Sequence, residues 1–340
     1  MPSNPGRSTL ATIAASAGVS VATVSKVLNG RTDVAPATRS MVQSLLQEHG
    51  YVARRSRRTR TAAPATLQVE VASDLCTYSA QIIQGMIEAG AGSGAAVIVT
   101  STAVMTGGGT SWVRGLVDAG RRAVITIGGE PAPAQLAALS RARLPVVVVD
   151  PLNLPDTPVT SVGATNFAGG MSATRHLLDL GHRRIAYLGG IADAACNQAR
   201  MHGYRAAMEA AGVPVPAEYV RTSGFRYPDG ETGGAALLDL RLPPTAIFAA
   251  SDGSALGAMQ AARARGLRVP EDLSVVGFDD TEVAVMTSPQ LTTVRQPLRE
   301  MGGIALRTAL RLAAGEKIES RHIELATELI IRGSSRAAGP

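Results

Sequence analysis

The sequence predicts an α-helical helix-turn-helix head followed by an α/β core of two doubly wound parallel-sheet lobes. Three observations carry that expectation. First, the basic residues crowd into the first 60 positions. Arg7, Lys26, Arg31, Arg39, Arg54, Arg55, Arg57, Arg58 and Arg60 stand there against only Asp33 and Glu48, giving +7 in the head and −1 over the other 280 residues. Second, three short amphipathic stretches fit inside the first 50 residues. Third, short continuous apolar runs then alternate with helical stretches in two successive series. That is the pattern of parallel strands covered on both faces.

Ser8 and Thr9 cap a first helix over Leu10–Ala17, with Leu10, Ile13, Ala14 and Ala17 on one face. Gly18 supplies a turn. Ser20 caps a second helix, Val21–Leu28, with Val24, Val27 and Leu28 inward, and Asn29-Gly30 stops it. A third helix opens at Pro36 and runs through Met41, Leu45 and Leu46 to His49-Gly50. Three helices so spaced, with a glycine turn between the first two, make a helix-turn-helix module, here residues 1–53. Its positive charge makes nucleic acid the expected partner. Residues 54–65 read as a basic linker: Arg54–Arg60 has no hydrophobic period and Thr61–Ala65 is small and polar.

The core, residues 66–340, opens with strands at Leu67–Ala72, Ala95–Thr100, Ala123–Ile127 and Val146–Val149, separated by helices at Ser79–Ala91, Ser111–Ala119 and Pro133–Ala142. A second series has strands at Ile185–Leu188, Tyr219–Arg221, Ala246–Ala250 and Ser274–Gly277. Its helices are Phe167–Leu180, Arg200–Ala211, Glu231–Leu240 and Ser254–Arg265. A last helix, Leu298–Ala313, and strands His322–Ala326 and Leu329–Arg332 are surplus to either series, so the chain should cross back between lobes. The expected division is 66–162 with 293–324 for one lobe and 163–292 with 325–334 for the other.

Open parallel sheets bind ligands at the carboxyl ends of their strands. Asp74, Asp150, Ser251 with Asp252, and Asp279 with Asp280 all fall at such ends, from both series. A carboxylate accepts two hydroxyl hydrogen bonds, which suits the adjacent hydroxyls of a sugar. For Asp252 and Asp280 the expected role is to serve the fold, at the start of the next helix or turn.

Other chemistries find no support. The five histidines show no metal-ligand spacing, and His182 is expected to be structural. Gly107-Gly108-Gly109 lacks the Gly-Lys-Ser/Thr of a phosphate loop. No nucleophile elbow or dinucleotide fingerprint appears. No cofactor is therefore expected, and the protein is not expected to be an enzyme. Cys76 and Cys196 fit no redox pair, and Cys76 is expected to be a buried small hydrophobe. Trp112 is expected to pack in the core or between lobes. No apolar run reaches membrane-spanning length and the N-terminus lacks a signal-peptide core, so a cytoplasmic protein without membrane attachment is expected. Two alternatives remain: a solute-binding transport component, and an enzyme on a doubly wound fold. The basic three-helix head and the lack of a signal-peptide core argue against the first, and strand ends with sugar-binding groups but no nucleophile, metal set or dinucleotide fingerprint argue against the second.

The segment Thr9–Arg39, TLATIAASAGVSVATVSKVLNGRTDVAPATR, resembles the DNA-binding head of the lactose-repressor/galactose-repressor (LacI/GalR) family. SVGATNFAGGMSATRHLLDLGHRRIAYLGG at Ser161–Gly190, SDGSALGAMQAARARGLRVPEDLSVVGFDD from Ser251, and LTTVRQPLREMG from Leu291 are similar to later family segments. The resemblance implies a homodimer, with larger assemblies open, that binds a pseudo-palindromic operator. It also implies a core like that of periplasmic sugar-binding proteins, in which a mono- or oligosaccharide changes operator affinity, releasing or tightening the grip of a repressor of carbohydrate genes. Val21 and Ala22 fall where the family places base-reading side chains. Thr23, Ser25, Lys26 and Asn29 match other contacting positions of the recognition helix, and Thr9, Ser20 and Thr38 match phosphate-contacting positions. In the core, Asp150, Arg200, Phe225, Ser251 and Asp279 match effector-contacting positions, with Tyr78 at the mouth of the first lobe.

Two departures matter. Val21 and Ala22 carry no side-chain polar group, so direct readout there reduces to contact with a thymine methyl. The family's hinge carries an apolar Leu that wedges into the minor groove, but Arg60 stands at that position. The linker arginines Arg54, Arg55, Arg57 and Arg58 are expected to enter the minor groove electrostatically without unstacking a base step.

Overall fold

A computed structural model describes residues 10–28, 31, 34–48, 64–72, 75–101, 110–151 and 159–339. The chain divides into two compact units, Met1–Ala63 and Pro64–Pro340.

In the first unit, α1 (Leu10–Ser16), α2 (Val21–Leu28) and α3 (Pro36–Glu48) enclose a small core of Ile13, Ala14, Ala17, Val24, Val27, Val34 and Val42. Gly18 at φ +63° makes the turn, a backbone that a β-carbon would strain. It sets α1 and α2 at 101°, within the range of about 90–120° for a helix-turn-helix.

The second unit has two six-stranded sheets. The first lobe carries β1 (Ala65–Val71), β2 (Ala95–Ser101), β3 (Val124–Ile127), β4 (Val146–Val149) and β5 (Thr160–Ala164). The second carries β6 (Ile185–Gly189), β7 (Val220–Thr222), β8 (Ala246–Ala249), β9 (Ser274–Asp279) and β10 (Thr292–Arg295). β11 (His322–Leu325) then adds to the first sheet and β12 (Glu328–Ile330) to the second, giving orders β11-β5-β4-β3-β1-β2 and β12-β10-β9-β8-β6-β7. All pairings among the described residues are parallel except β10 with β12, because β12 enters its lobe from the other side of a crossing. In the first lobe, α4 (Thr77–Ser93) and α12 (Leu298–Ala313) cover one face, while α5 (Thr110–Asp118) and α6 (Pro133–Arg141) cover the other. In the second, α7 (Asn166–Asp179) and α8 (Ala195–Ala210) lie on one face, with α9 (Tyr227–Leu238) and α10 (Asp252–Ala264) opposite; a short α11 (Glu282–Met286) follows β9.

The expectation missed β5, β10 and α11. β5 reads Thr-Ser-Val-Gly-Ala, which offers no apolar run. β10 shifts a lobe boundary: the chain returns to the first lobe after Arg295 and not at 293. Thr292, Thr293 and Val294 are fully buried in the second lobe, and Thr293 Oγ1 donates to Asp252 Oδ1 at 2.6 Å. Likewise the first crossing follows Ala164 and the third follows Leu325.

His182 is buried where the helix after β5 meets β6. Its ring contacts Thr245 Oγ1 at 2.9 Å, and Ser274 Oγ and the Arg336 carbonyl each at 3.1 Å, pinning the C-terminal segment. Burial pushes its pKa down. A depressed folded-state pKa means that the unfolded chain binds the proton first. The stabilisation is complete above about pH 6.5, the unfolded value, and is lost as pH falls through the folded one. The melting temperature is expected to drop by a few degrees between pH 7 and 5. In His182→Gln it should start lower and depend less on pH, as scanning calorimetry across that range would register. A pH profile parallel to that of the wild type would remove His182 as the cause.

Candidate ligand cleft and nucleic-acid-reading helix

In the first unit, α2 buries Val24 and Val27 and exposes Val21, Ala22 and Lys26, with Thr23 and Ser25 half-buried at the edges. Ser20 caps it: the Thr23 amide donates to Ser20 Oγ at 3.1 Å, and the two hydroxyls lie 2.9 Å apart. Thr38 sits half-buried in the first turn of α3. The outward face of α2 thus offers two small apolar side chains and one cation. Thr9, Asn29, Arg54, Arg55, Arg57, Arg58 and Arg60 lie outside the described residues, as does Asp74.

In the second unit, a cleft of about 810 Å³ opens between the two lobes. All six side chains expected there line it: Tyr78 and Asp150 from the first lobe, and Arg200, Phe225, Ser251 and Asp279 from the second. Asp150 and Asp279 have positive φ, 48° and 115°. Such backbone is uncommon for non-glycine residues and clusters at functional sites. Here it aims two carboxylates from strand ends into one space.

The floor is a buried network. Tyr78 Oη donates to Asp150 Oδ2. Arg200, 3% exposed, lies flat on Phe278 with its guanidinium carbon 3.8 Å from the ring centroid. Its Nε donates to Asn166 Oδ1 at 2.8 Å and its Nη1 to the Ala250 carbonyl at 2.5 Å, while Nη1 stands 3.9 Å from Asp279 Oδ1. Asp279 Oδ1 also accepts from Gln296 Nε2 at 2.8 Å. Burial pushes the Asp150 carboxyl up against the pull of Arg200 and the Tyr78 hydroxyl. It pushes Asp279 up more strongly, again with Arg200 opposing. Loss of hydration and the neighbouring Asp150 carboxylate hold the Tyr78 hydroxyl well above its ordinary value, so it stays neutral.

Three expected roles are refined. Ser251 lines the cleft, but its hydroxyl is engaged: it accepts from the Ser254 amide at 3.1 Å as the cap of α10, and donates to the Phe225 carbonyl at 2.7 Å. It therefore holds the Phe225 segment in place. Asp252 accepts from the Thr281 amide at 2.7 Å and from the hydroxyls of Thr281 and Thr293. Asp280 pairs with Arg295 at 2.7 Å and Arg332 at 2.6 Å. Both serve the fold. Cys76 corrects its expectation: it is exposed at the N-terminus of α4 and lines the cleft. Trp112 packs half-buried against Val113, Leu116 and Leu139 on the flank of the first sheet.

Sequence reasoning missed Phe278, Asn166 and Gln296. Phe278 was legible as the neighbour of Asp279, in the apolar run Ser274–Gly277 extended by one. Asn166 and Gln296 sit at the first and second crossings, so their nearness to Arg200 and Asp279 follows only once the crossings are placed.

Residues 9–53 match the family model described as bacterial regulatory proteins, lacI family, and residues 174–335 match that of a periplasmic binding protein-like domain. The chain is 33% identical over 333 residues to the HTH-type transcriptional regulator DegA of Bacillus subtilis (strain 168), covering 97% of this chain and 98% of that one. It belongs to the LacI family. This LacI-family regulator is also 35% identical to the HTH-type transcriptional regulator CelR of Thermobifida fusca, over 96% of this chain and 98% of that one. Among solved structures it is similar to a CelR–cellobiose complex, with TM-score 0.72 and 34% identity over 96% of this chain and 100% of that one. It is likewise similar to the lac repressor dimer bound to operator and the anti-inducer ONPF, with TM-score 0.73 and 27% identity over 98% of this chain and 100% of that one. Like these relatives it is a helix-turn-helix transcription regulator. Among the described residues no group of side chains could hold a metal ion and no single helix is long and apolar enough to cross a membrane.

Proposed function

We propose that this LacI-family regulator is a cytoplasmic, non-enzymatic homodimeric repressor of carbohydrate genes, and that an uncharged sugar bound between its lobes changes its operator affinity. One observation carries the effector reading: two carboxylates, a phenol and a guanidinium from both lobes converge on a buried floor. The guanidinium bonds Asn166 through Nε and the Ala250 carbonyl through Nη1, and the Asp279 and Asp150 carboxyl groups share its surroundings, which favours an uncharged ligand over an anionic one. Carboxylates with outward-facing acceptor capacity suit hydroxyl donors. Gln296 Oε1, buried without a partner among the described residues, offers one more acceptor beside Asp279. Asp150, Arg200 and Asp279 would hold the ring, with Phe225 against its apolar face and Tyr78 fixing Asp150.

On the DNA side, α2 lies in the major groove. Lys26 and Asn29 supply polar contacts, Val21 and Ala22 meet thymine methyls, Thr23 and Ser25 border the groove, and Thr9, Ser20 and Thr38 contact phosphates. Two-fold symmetry of the protein implies a pseudo-palindromic operator. Arg54, Arg55, Arg57 and Arg58 enter the central minor groove. The test is fluorescence anisotropy of the full chain on its own promoter DNA, titrated with salt and with sugars. Affinity should fall roughly 10³-fold between about 50 and 200 mM salt, and at least one sugar should shift it. The operator should show little central bend by energy transfer between end labels. A strong central kink would overturn the arginine hinge, and equal affinity for scrambled DNA would overturn the regulator reading.

A further inference from the structure

The chain's two cysteines show no redox spacing in the sequence, yet the fold brings both to one cleft. Cys76 is exposed at the start of α4 in the first lobe. Cys196, half-buried, is the second residue of α8 in the second lobe. Both are free thiols. Leu75, beside Cys76, and Ile191, on the second lobe, are exposed and line the same space, so the mouth of the cleft is apolar.

Each thiol stands on an anchored helix start. The Cys76 amide donates to Ser79 Oγ at 3.0 Å, and that hydroxyl donates back to the Cys76 carbonyl at 3.1 Å. At α8, the buried Asn197 Oδ1 accepts from the Gly190 amide and from Tyr187 Oη, each at 2.8 Å. The separation of the two sulfurs is therefore set by the relative orientation of the lobes. Cys196 also reaches toward the first lobe. Burial pushes its thiol up to about 11, with Arg200 opposing and the Asp150 carboxylate of the facing lobe adding to the rise. Tyr78, two residues after Cys76, is held up by burial first and then by Asp150, Asp279 and Cys196. Cys196 thus stays a thiol at neutral pH, while Cys76 is the one that solvent and dissolved oxidants reach. An exposed cysteine with a second thiol poised to resolve it is the arrangement of thiol redox sensors.

We infer that Cys76 and Cys196 form a peroxide-sensitive pair, which oxidises to a disulfide that ties the two lobes together across the cleft. The inference is independent of what ligand the cleft takes. In the first step the Cys76 sulfur attacks a hydrogen peroxide oxygen: the S–O bond forms as the O–O bond breaks, and the departing hydroxide takes the thiol's proton as water. Cys76 is then a sulfenic acid. In the second step the Cys196 sulfur attacks the Cys76 sulfur: the S–S bond forms as the S–O bond breaks, and the departing hydroxide leaves as water with the Cys196 proton. Two thiols and one peroxide give one disulfide and two waters. The bond requires α-carbons within about 7 Å, so it captures only those lobe orientations that bring the two helix starts together. A thiol reductant reverses it.

The test is to treat the reduced full-length protein with hydrogen peroxide, quench it by alkylation, and measure intact mass and a non-reducing peptide map. The chain should become lighter by two hydrogens and yield one peptide joining Cys76 to Cys196, with dithiothreitol restoring both thiols. The folded protein should cross-link roughly tenfold or more faster than the protein in urea, because the fold holds the thiols near each other. The linked protein should melt several degrees higher than the reduced one. Its operator affinity should differ several-fold, and the difference should vanish on reduction. Cys76→Ser should leave Cys196 a thiol at the same peroxide dose, and Cys196→Ser should stop at an oxidised Cys76. Operator binding and melting temperature of the reduced variants check that both fold. Oxidation of Cys76 to its sulfinic acid with Cys196 still a thiol, a disulfide between two chains, or equal cross-linking rates with and without urea would overturn the pair. A disulfide that leaves operator affinity unchanged would overturn it as an input to the regulator.

Discussion

Asp279→Asn is expected to weaken effector binding by roughly 30-fold, the equivalent of about 2 kcal/mol for a buried hydrogen bond left unmade. Operator affinity without effector should stay within about threefold of wild type, since the change lies wholly in the second unit. The substitution keeps the side-chain volume, and the oxygen of the introduced amide could still accept from Gln296. What is removed is one carboxyl oxygen facing the cleft beside Arg200. Arg200→Ala should also abolish the response to effector, at a larger cost to the fold. It would leave Asn166 Oδ1 and the Ala250 carbonyl without a donor and uncover the face of Phe278. Removing one member of a buried, hydrogen-bonded charge network typically costs about 3–5 kcal/mol. Effector titration, thermal unfolding and operator anisotropy on the same two variants separate these effects. Loss of operator binding in Asp279→Asn with an unchanged melting temperature would place Asp279 on the DNA-signalling route and not on the ligand.

The two variants also probe how the signal leaves the cleft. Arg200 holds Asn166, the first residue of α7 after the first crossing, and Asn166 Nδ2 donates to the Ala164 carbonyl on the far side of that crossing at 3.0 Å. Asp279 holds Gln296 at the second crossing. At the third, the Thr327 amide donates to Thr165 Oγ1 at 3.0 Å. Two of the three connections between lobes are therefore hydrogen-bonded to side chains on the cleft floor.

The elements built on strong patterns were legible in the sequence. α2, β4 and α12 have the expected bounds, because a capped amphipathic helix and an all-valine strand each leave one reading. β5 and β10 were not. Their Thr and Ser residues are buried by packing against neighbours distant in sequence, which no local pattern encodes. The cleft follows the same division. Asp150 and Asp279 could be placed from the rule that strand ends carry ligands. Asn166, Gln296 and the apolar mouth depend on which chain segments cross between lobes and on what each lobe faces. The mouth also defeats a burial argument made from residue type alone: Cys76, Leu75 and Ile191 are apolar, or nearly so, and exposed.

Gly170→Val is expected to cost more than about 3 kcal/mol, and Gly170→Ala about 1–3 kcal/mol, both by overpacking. A β-carbon at Gly170 on α7 would lie 2.3 Å from the Arg200 carbonyl oxygen and 2.9 Å from the Arg200 Cα. The contact is reciprocal. A β-carbon at Gly203 on α8 would lie 2.2 Å from the Phe167 carbonyl and 2.7 Å from the Met171 amide nitrogen. The two helices therefore touch backbone to backbone, and the atoms in the way cannot rotate aside. A comparison substitution exists on α4, where a β-carbon at Gly92 meets nothing within 4 Å. Gly92→Ala should stabilise by about 0.5–1 kcal/mol through helix propensity alone. Urea unfolding of both alanine variants would measure the difference, and if Gly170→Ala proved as benign as Gly92→Ala the close approach would be refuted. The consequence reaches the ligand because Arg200 stands at this contact. In whatever fraction of Gly170→Ala stays folded, α8 must move away from α7, and it carries the guanidinium off Phe278 and out of reach of Asn166. Effector affinity should then fall in the folded protein as well. That loss distinguishes a glycine that merely permits the fold from one that sets the position of the floor.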